Sequence, residues 1–156
     1  MRPLKPAVIK VWTINYAISA TLLLIATATF DVIQLLRGEG AMLPAGLTTG
    51  VVLLASLGMT ILMPRWKYRY WRFSLDDQEL YLERGIFNRV RTIVPLRRIQ
   101  HLDVSQNLLE REFDLGKLIV HTAGSDSNSV VLPGLDYAEA EELRDSIKHY
   151  ILEDAV

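Results

Sequence analysis

His101, Asp103 and Ser105 are the residues whose types and spacing come nearest to a catalytic set. On a β-strand, positions i, i+2 and i+4 share one face with Cα atoms roughly 6.5–7 Å apart, so base, acid and hydroxyl approach hydrogen-bonding range. A serine nucleophile also needs a shielded pocket and donors for the oxyanion, and the flanking sequence supplies neither. The other histidines, His121 and His149, fall in a strand and at a helix end, too scattered for a metal cluster. Cysteine is absent, which excludes disulfides, a thiol nucleophile and thiolate metal sites. There is no glycine pattern of the Walker or Rossmann type, and the adjacent Asp76 and Asp77 read as a turn. The expectation is a protein with no catalytic residue, no metal and no cofactor.

The denser chemistry is cationic. Arg84, Arg89, Arg91, Arg97 and Arg98, with His101, lie between Arg84 and Leu102 without an intervening acid. Beside an anionic leaflet each basic residue adds about 1 kcal/mol of attraction. The plainer alternative is a solvated strand face, with Arg98 bonding backbone inside a turn; charge runs are usually solvated. No dense cradle of Lys and Arg is present, so selection of one headgroup is not expected. These five arginines are the candidate lipid or partner contacts. A nucleic-acid partner is not expected, because residues 65–156 carry 13 basic and 16 acidic residues.

Whatever these residues do, they hang from two uncharged apolar runs. Val11–Phe30 is twenty residues long and Ala41–Pro64 twenty-four, with only Asp31–Gly40 between them. As helices they reach roughly 30 and 36 Å, enough to cross a hydrocarbon core of about 30 Å. The first run is too long for the apolar stretch of a cleaved signal peptide and has a close partner, so it is expected to stay. The chain therefore divides into a cytoplasmic N-terminus (1–10), a transmembrane hairpin (11–64, spans about 11–30 and 41–64) and a cytoplasmic domain (65–156).

Arg2, Lys5 and Lys10 precede span one, and Arg65, Lys67, Arg69 and Arg72 follow span two, whereas the loop holds only Arg37. The positive-inside rule then puts both termini in the cytoplasm of a multi-pass inner-membrane protein. Trp12, Trp66, Tyr68, Tyr70 and Trp71 are the expected interfacial anchors on that side, with Tyr16 nearby. Gly46, Gly50 and Gly58 give span two a small-residue face. It is expected to pack the spans together, with homo-oligomerisation as the alternative. Pro64 is expected to close the span.

After Pro64 the periodicity alternates. Trp71, Phe73 and Leu75 face away from Tyr70, Arg72 and Ser74; Leu80 and Leu82 continue the pattern; a turn brackets Ile86-Phe87; Val90, Thr92 and Val94 oppose Arg89, Arg91 and Ile93. Ile99–Ser105 reads as a strand with Ile99 on the His101 face, and Asn107–Phe113 as a helical turn. Leu118, Val120 and Thr122 mark another strand, 124–129 a polar loop, and Val130–Leu132 a short last strand before Pro133. Asp136 then caps a helix whose stripe is Ala140, Leu143, Ile147 and Ile151. The soluble part is a curved antiparallel sheet plugged by one amphipathic helix.

This order resembles the membrane-anchored bacterial pleckstrin-homology-like proteins of the YdbS type. The resemblance rests on Val94-Pro95-Leu96-Arg97-Arg98-Ile99-Gln100-His101-Leu102, on Gln106, Leu109-Glu110-Arg111 and Phe113, and on Leu118-Ile119-Val120 with Thr122-Ala123-Gly124. Asp114 departs from it, standing where members often carry glycine. The resemblance implies a two-helix transmembrane hairpin followed by a small α+β domain, a PH-like antiparallel barrel capped by a C-terminal helix. The expected function is a binding or assembly module, and the resemblance points to a larger membrane protein with further PH-like domains as its partner. An anionic-lipid sensor in envelope stress or lipid homeostasis is the alternative function.

Overall fold

The computed structural model describes residues 1–37, 44, 46–123 and 129–153. The expected loop at 38–40, the first residues of span two and most of the polar loop at 124–129 lie outside the described residues. The chain forms two compact units, Met1–Val11 with Trp66–Val156, and Trp12–Arg65.

The hairpin unit is built from α1 (Val8–Arg37) and α2 (Leu47–Tyr70), both long and apolar enough to cross a membrane. Each runs past its expected end, for a polar reason. Asp31 does not stop α1, because its carboxylate accepts hydrogen bonds from the Thr48 hydroxyl, the Thr49 hydroxyl (2.7 Å) and the Thr49 amide (3.2 Å). It thereby caps the first turn of α2, where backbone amides have no helical acceptor. Pro64 does not stop α2 either. Its missing N–H withdraws the helical donor of the Thr60 carbonyl, and the Arg65 guanidinium donates to the adjacent Ile61 carbonyl at 2.9 Å. Tyr70 is consequently the last residue of a helix, not the first of a strand.

A Cβ placed on Gly46, Gly50 or Gly58 would meet nothing within 4 Å, so the space beside the glycine face of α2 is open among the described residues. Thr21, Thr27 and Thr29 of α1 donate to carbonyls three or four residues back in their own helix. Asp31 with Thr48 and Thr49 ties the two helices.

The other unit holds two three-stranded antiparallel sheets. β1 (Arg72–Leu75), β2 (Glu79–Arg84) and β3 (Val90–Pro95) form the first in that order. β4 (Ile99–Ser105), β5 (Leu115–Thr122) and β6 (Ser129–Asp136) form the second. A short helix α3 (Leu108–Glu112) joins β4 to β5, and α4 (Tyr137–Glu153) packs on the second sheet. This is the PH-like arrangement expected from the sequence. The inward set is Phe73, Leu80, Leu82, Val94, Leu118, Val120 and Leu132, with Ala140 and Ile147 from α4.

The motif residues build corners. Leu96–Arg98 form a 3-10 turn in which the buried Leu96 donates its amide to Gln78, and the Arg98 carbonyl accepts from Ala123. Asn107 and Glu110 cap α3 reciprocally at 2.8 Å each way, and Gln106 donates to the Leu115 carbonyl at 2.8 Å. Asp114 sits at φ 51°, a backbone region that glycine adopts freely and aspartate tolerates better than most residues. That accounts for the departure at this position: the turn is kept with a residue that still permits it.

Met1–Val11 is no loose leader. Arg2 exchanges backbone hydrogen bonds with Phe73 of β1 (2.6 and 3.1 Å), and the Lys5 amide donates to Gly134 of β6 at 2.9 Å. The segment thus lines the outer edges of both sheets and buries Leu4, Val8 and Val11 in the core. A Cβ on Gly134, at φ +68°, would come within 2.7 Å of Val8. β6 runs on through Pro133 and Gly134, longer than expected, because an edge strand tolerates a residue without an N–H. Lys5 pairs with Asp136 at 2.5 Å, and Lys10 lies 5.7 Å from the Phe113 ring centre. Asp136 holds the Lys5 pKa up, and Lys5 in turn holds the Asp136 carboxyl below the usual carboxylate range.

Candidate functional site

Cross-strand register, which the sequence alone did not reveal, assembles a histidine face on the second sheet. His101 pairs with His121 across β4 and β5, their ring centres 5.8 Å apart. Asp103 lies between them, its carboxylate 2.7 Å from His101 Nε2 and 3.1 Å from His121 Nε2. The members are His101, Asp103 and His121, not His101, Asp103 and Ser105. Ser105 sits opposite Lys117, and no hydrogen bond among the described residues joins it to either histidine. A bulge between Ile99 and His101 turns Ile99 into the core, so it leaves the face where strict alternation placed it. All three side chains are between 41 and 68 % exposed, so the face is open to solvent. An open face offers no water-excluded pocket in which to stabilise a reacting charge.

The arginines divide. Arg84 pairs with Val90 at one end of β2, while Glu79 pairs with Pro95 at the other, next to the turn that carries Arg97 and Arg98. Six residues of strand, about 17 Å, separate the two groups. All five side chains are exposed. Arg89 and Arg91 share an acid from the neighbouring strand: Glu83 Oε1 lies 2.9 Å from Arg89 Nε and 3.6 Å from Arg91 Nε. Glu83 lies just outside the acid-free stretch but is brought against it by pairing with Arg91.

Between Arg84 and Arg89 the β2–β3 turn exposes Phe87 at 87 %. Gly85, at φ +117°, makes the turn possible, since any Cβ there would lie 1.8 Å from the Asn88 carbonyl oxygen. The sequence marked the turn but not the presentation of the phenyl ring. On β3, Ile93 on the outer face and Val90 at the strand's start, on the face of Val94, are 53 and 38 % exposed.

The rings expected at the membrane interface also separate. Trp66 and Tyr70 are 43 and 41 % exposed on the last turns of α2, whereas Trp71 is 7 % exposed. Trp71 is therefore corrected from anchor to core residue, because the chain leaves the helix at that point and turns inward.

Comparison with known proteins gives a coherent picture. The profile of a family described as "Bacterial PH domain" matches residues 8–151. The UPF0699 transmembrane protein YdbS of Bacillus subtilis is 34 % identical over 103 residues, 66 % of this chain and 63 % of that one. The UPF0699 transmembrane protein YdbT of the same organism is 29 % identical over 82 residues, 52 % of this chain and 17 % of that one. The match thus spans less than two thirds of each relative. No solved structure matches.

Proposed function

Because the chain belongs to the bacterial PH domain family, we propose that this membrane-associated PH-like module is a non-catalytic subunit of a membrane protein complex. Its partner is a larger membrane protein carrying further PH-like domains. The observation that carries this reading is the outer edge of β3, the last strand of its sheet, with Val90 and Ile93 exposed beside it. An unpaired edge offers main-chain donors and acceptors for strand addition, and alternate side chains supply selectivity. The opposite edge of that sheet is already lined by Arg2. Homo-oligomerisation through the glycine face of α2 is the competing mode.

The test is co-purification from native membranes in mild detergent. Ile93→Lys should lose the partner, because a charge on the edge opposes strand pairing. Gly50→Leu, at a position with open space around it, should keep it. Recovery by the first variant and loss by the second would overturn the edge reading in favour of the glycine face.

The complex is proposed to sit in the inner membrane with both chain ends in the cytoplasm. Seven basic residues flank the spans against one between them. The segments before α1 and after α2 also share one folded unit, which requires one side for both. A reporter fused after Val156 should be active only in its cytoplasmic form; activity in the external form would overturn the orientation.

A further inference from the structure

We propose that the β2–β3 turn seats on the anionic phospholipid surface beside the spans. Phe87 enters the headgroup layer, and Arg84, Arg89 and Arg91 hold lipid phosphates. The proposal does not depend on the strand-edge reading. Three observations converge on it.

The first is composition at a point. Phe87 is 87 % exposed at the tip of a two-strand turn, with Arg84 directly before the turn and Arg89 and Arg91 directly after it. An exposed apolar ring with arginines on either side of it in the chain matches a bilayer surface, where acyl chains lie beneath a layer of phosphate. Glu83 keeps Arg89 and Arg91 side by side and leaves the group of four charges net positive.

The second is rigidity. Gly85 closes the turn with Asn88 so tightly that only glycine fits, and the Arg84–Val90 pair anchors its base. The phenyl ring is held out by the backbone, with less ordering cost on docking than a floppy loop would incur.

The third is position along the strands. β1 begins at Arg72, two residues after the last residue of α2, and Arg72 pairs with Glu83. The tip therefore lies at the end of the sheet where the chain enters it from α2, roughly 10 Å past Arg72 along the strand. Arg97 and Arg98, at the far end, take no part. The occupant is a lipid surface because the tip pairs net positive charge with an apolar ring, and because the chain arrives there directly from a span.

The sequence has no cysteine, so a single introduced thiol reports one position. Full-length Phe87→Cys, carrying an environment-sensitive fluorophore, is reconstituted into vesicles of phosphatidylcholine alone or mixed with phosphatidylglycerol. The neutral quencher acrylamide then reads exposure. Leu108→Cys, equally exposed at 87 %, is the reference site. Quenching at position 87 should be several-fold weaker than at 108 in the anionic vesicles. It should rise toward the reference when Arg84, Arg89 and Arg91 are all changed to Gln. Equal quenching at 87 and 108 in anionic vesicles would overturn the proposal. So would shielding at 87 that is the same with and without phosphatidylglycerol, since the arginines would then hold no phosphate.

Discussion

Ile147→Ala should cost the folded unit about 2–4 kcal/mol, whereas Glu142→Gln should stay within about 0.5 kcal/mol. Ile147 is fully buried on the face of α4 that packs on β4, β5 and β6, and Ala140, about two turns earlier in the helix, is fully buried as well. Truncation removes three carbon atoms and leaves a void among close-packed neighbours. Leu143, the centre of the stripe expected from the sequence, is half-buried and should respond less than Ile147. Denaturant unfolding of the full chain in detergent, followed by near-ultraviolet circular dichroism, gives the comparison. Equal midpoints for Ile147→Ala and Glu142→Gln would mean that α4 is not docked as described.

A chain cut to residues 66–156 should fail to fold as a compact unit. Leu4, Val8 and Val11 are 2, 3 and 3 % exposed, and burying three such side chains contributes about 5–8 kcal/mol. A small domain's entire stability is about 5–15 kcal/mol, so their loss is decisive. The fragment should bind a hydrophobic dye and lack fixed aromatic signals. A fully cooperative unfolding transition in it would refute the role given to the segment. In the full chain, Leu4→Asp should reproduce the defect and Lys5→Ala should not, because the Lys5–Asp136 pair is largely solvated. The pair's own pH window follows from its two shifts. Lys5 is raised, so its contribution is complete at neutral pH and fades above about pH 10.5. Asp136 is lowered, so its contribution is complete above about pH 4 and fades as acid protonates it.

That segment was also the least legible part of the sequence. Arg2-Pro3-Leu4-Lys5-Pro6 has no periodicity, and its partners Phe73 and Gly134 lie 71 and about 130 residues away. The two long apolar helices, in contrast, were plain from their length and lack of charge; their ends were not, since α1 continues through Asp31, which accepts from Thr48 and Thr49, and α2 continues through Pro64. Strand faces were readable from alternation until a bulge broke it at Ile99. Within the candidate sites the residue types were visible, but their grouping was not. Register decided that His121 joins His101, that Glu83 meets Arg89 and Arg91, and that Arg97 and Arg98 lie at the far end of the sheet.

The strap across the two sheet edges sets an order of events during synthesis. Leu4 leaves the ribosome long before Gly134 exists, and at about 5–20 residues per second the wait is roughly 6–26 s. In the proposed topology, both helices enter the bilayer during that time and return the chain to the side where it began. A chain that inserted one helix only would hold Leu4, Val8 and Val11 across the membrane from β1 and β6. Its sheets would keep bare edges and an unfilled core, the features that proteases and chaperones act on. Completion of the two-sheet unit therefore doubles as an inspection of the hairpin, reached only by chains whose insertion follows that topology.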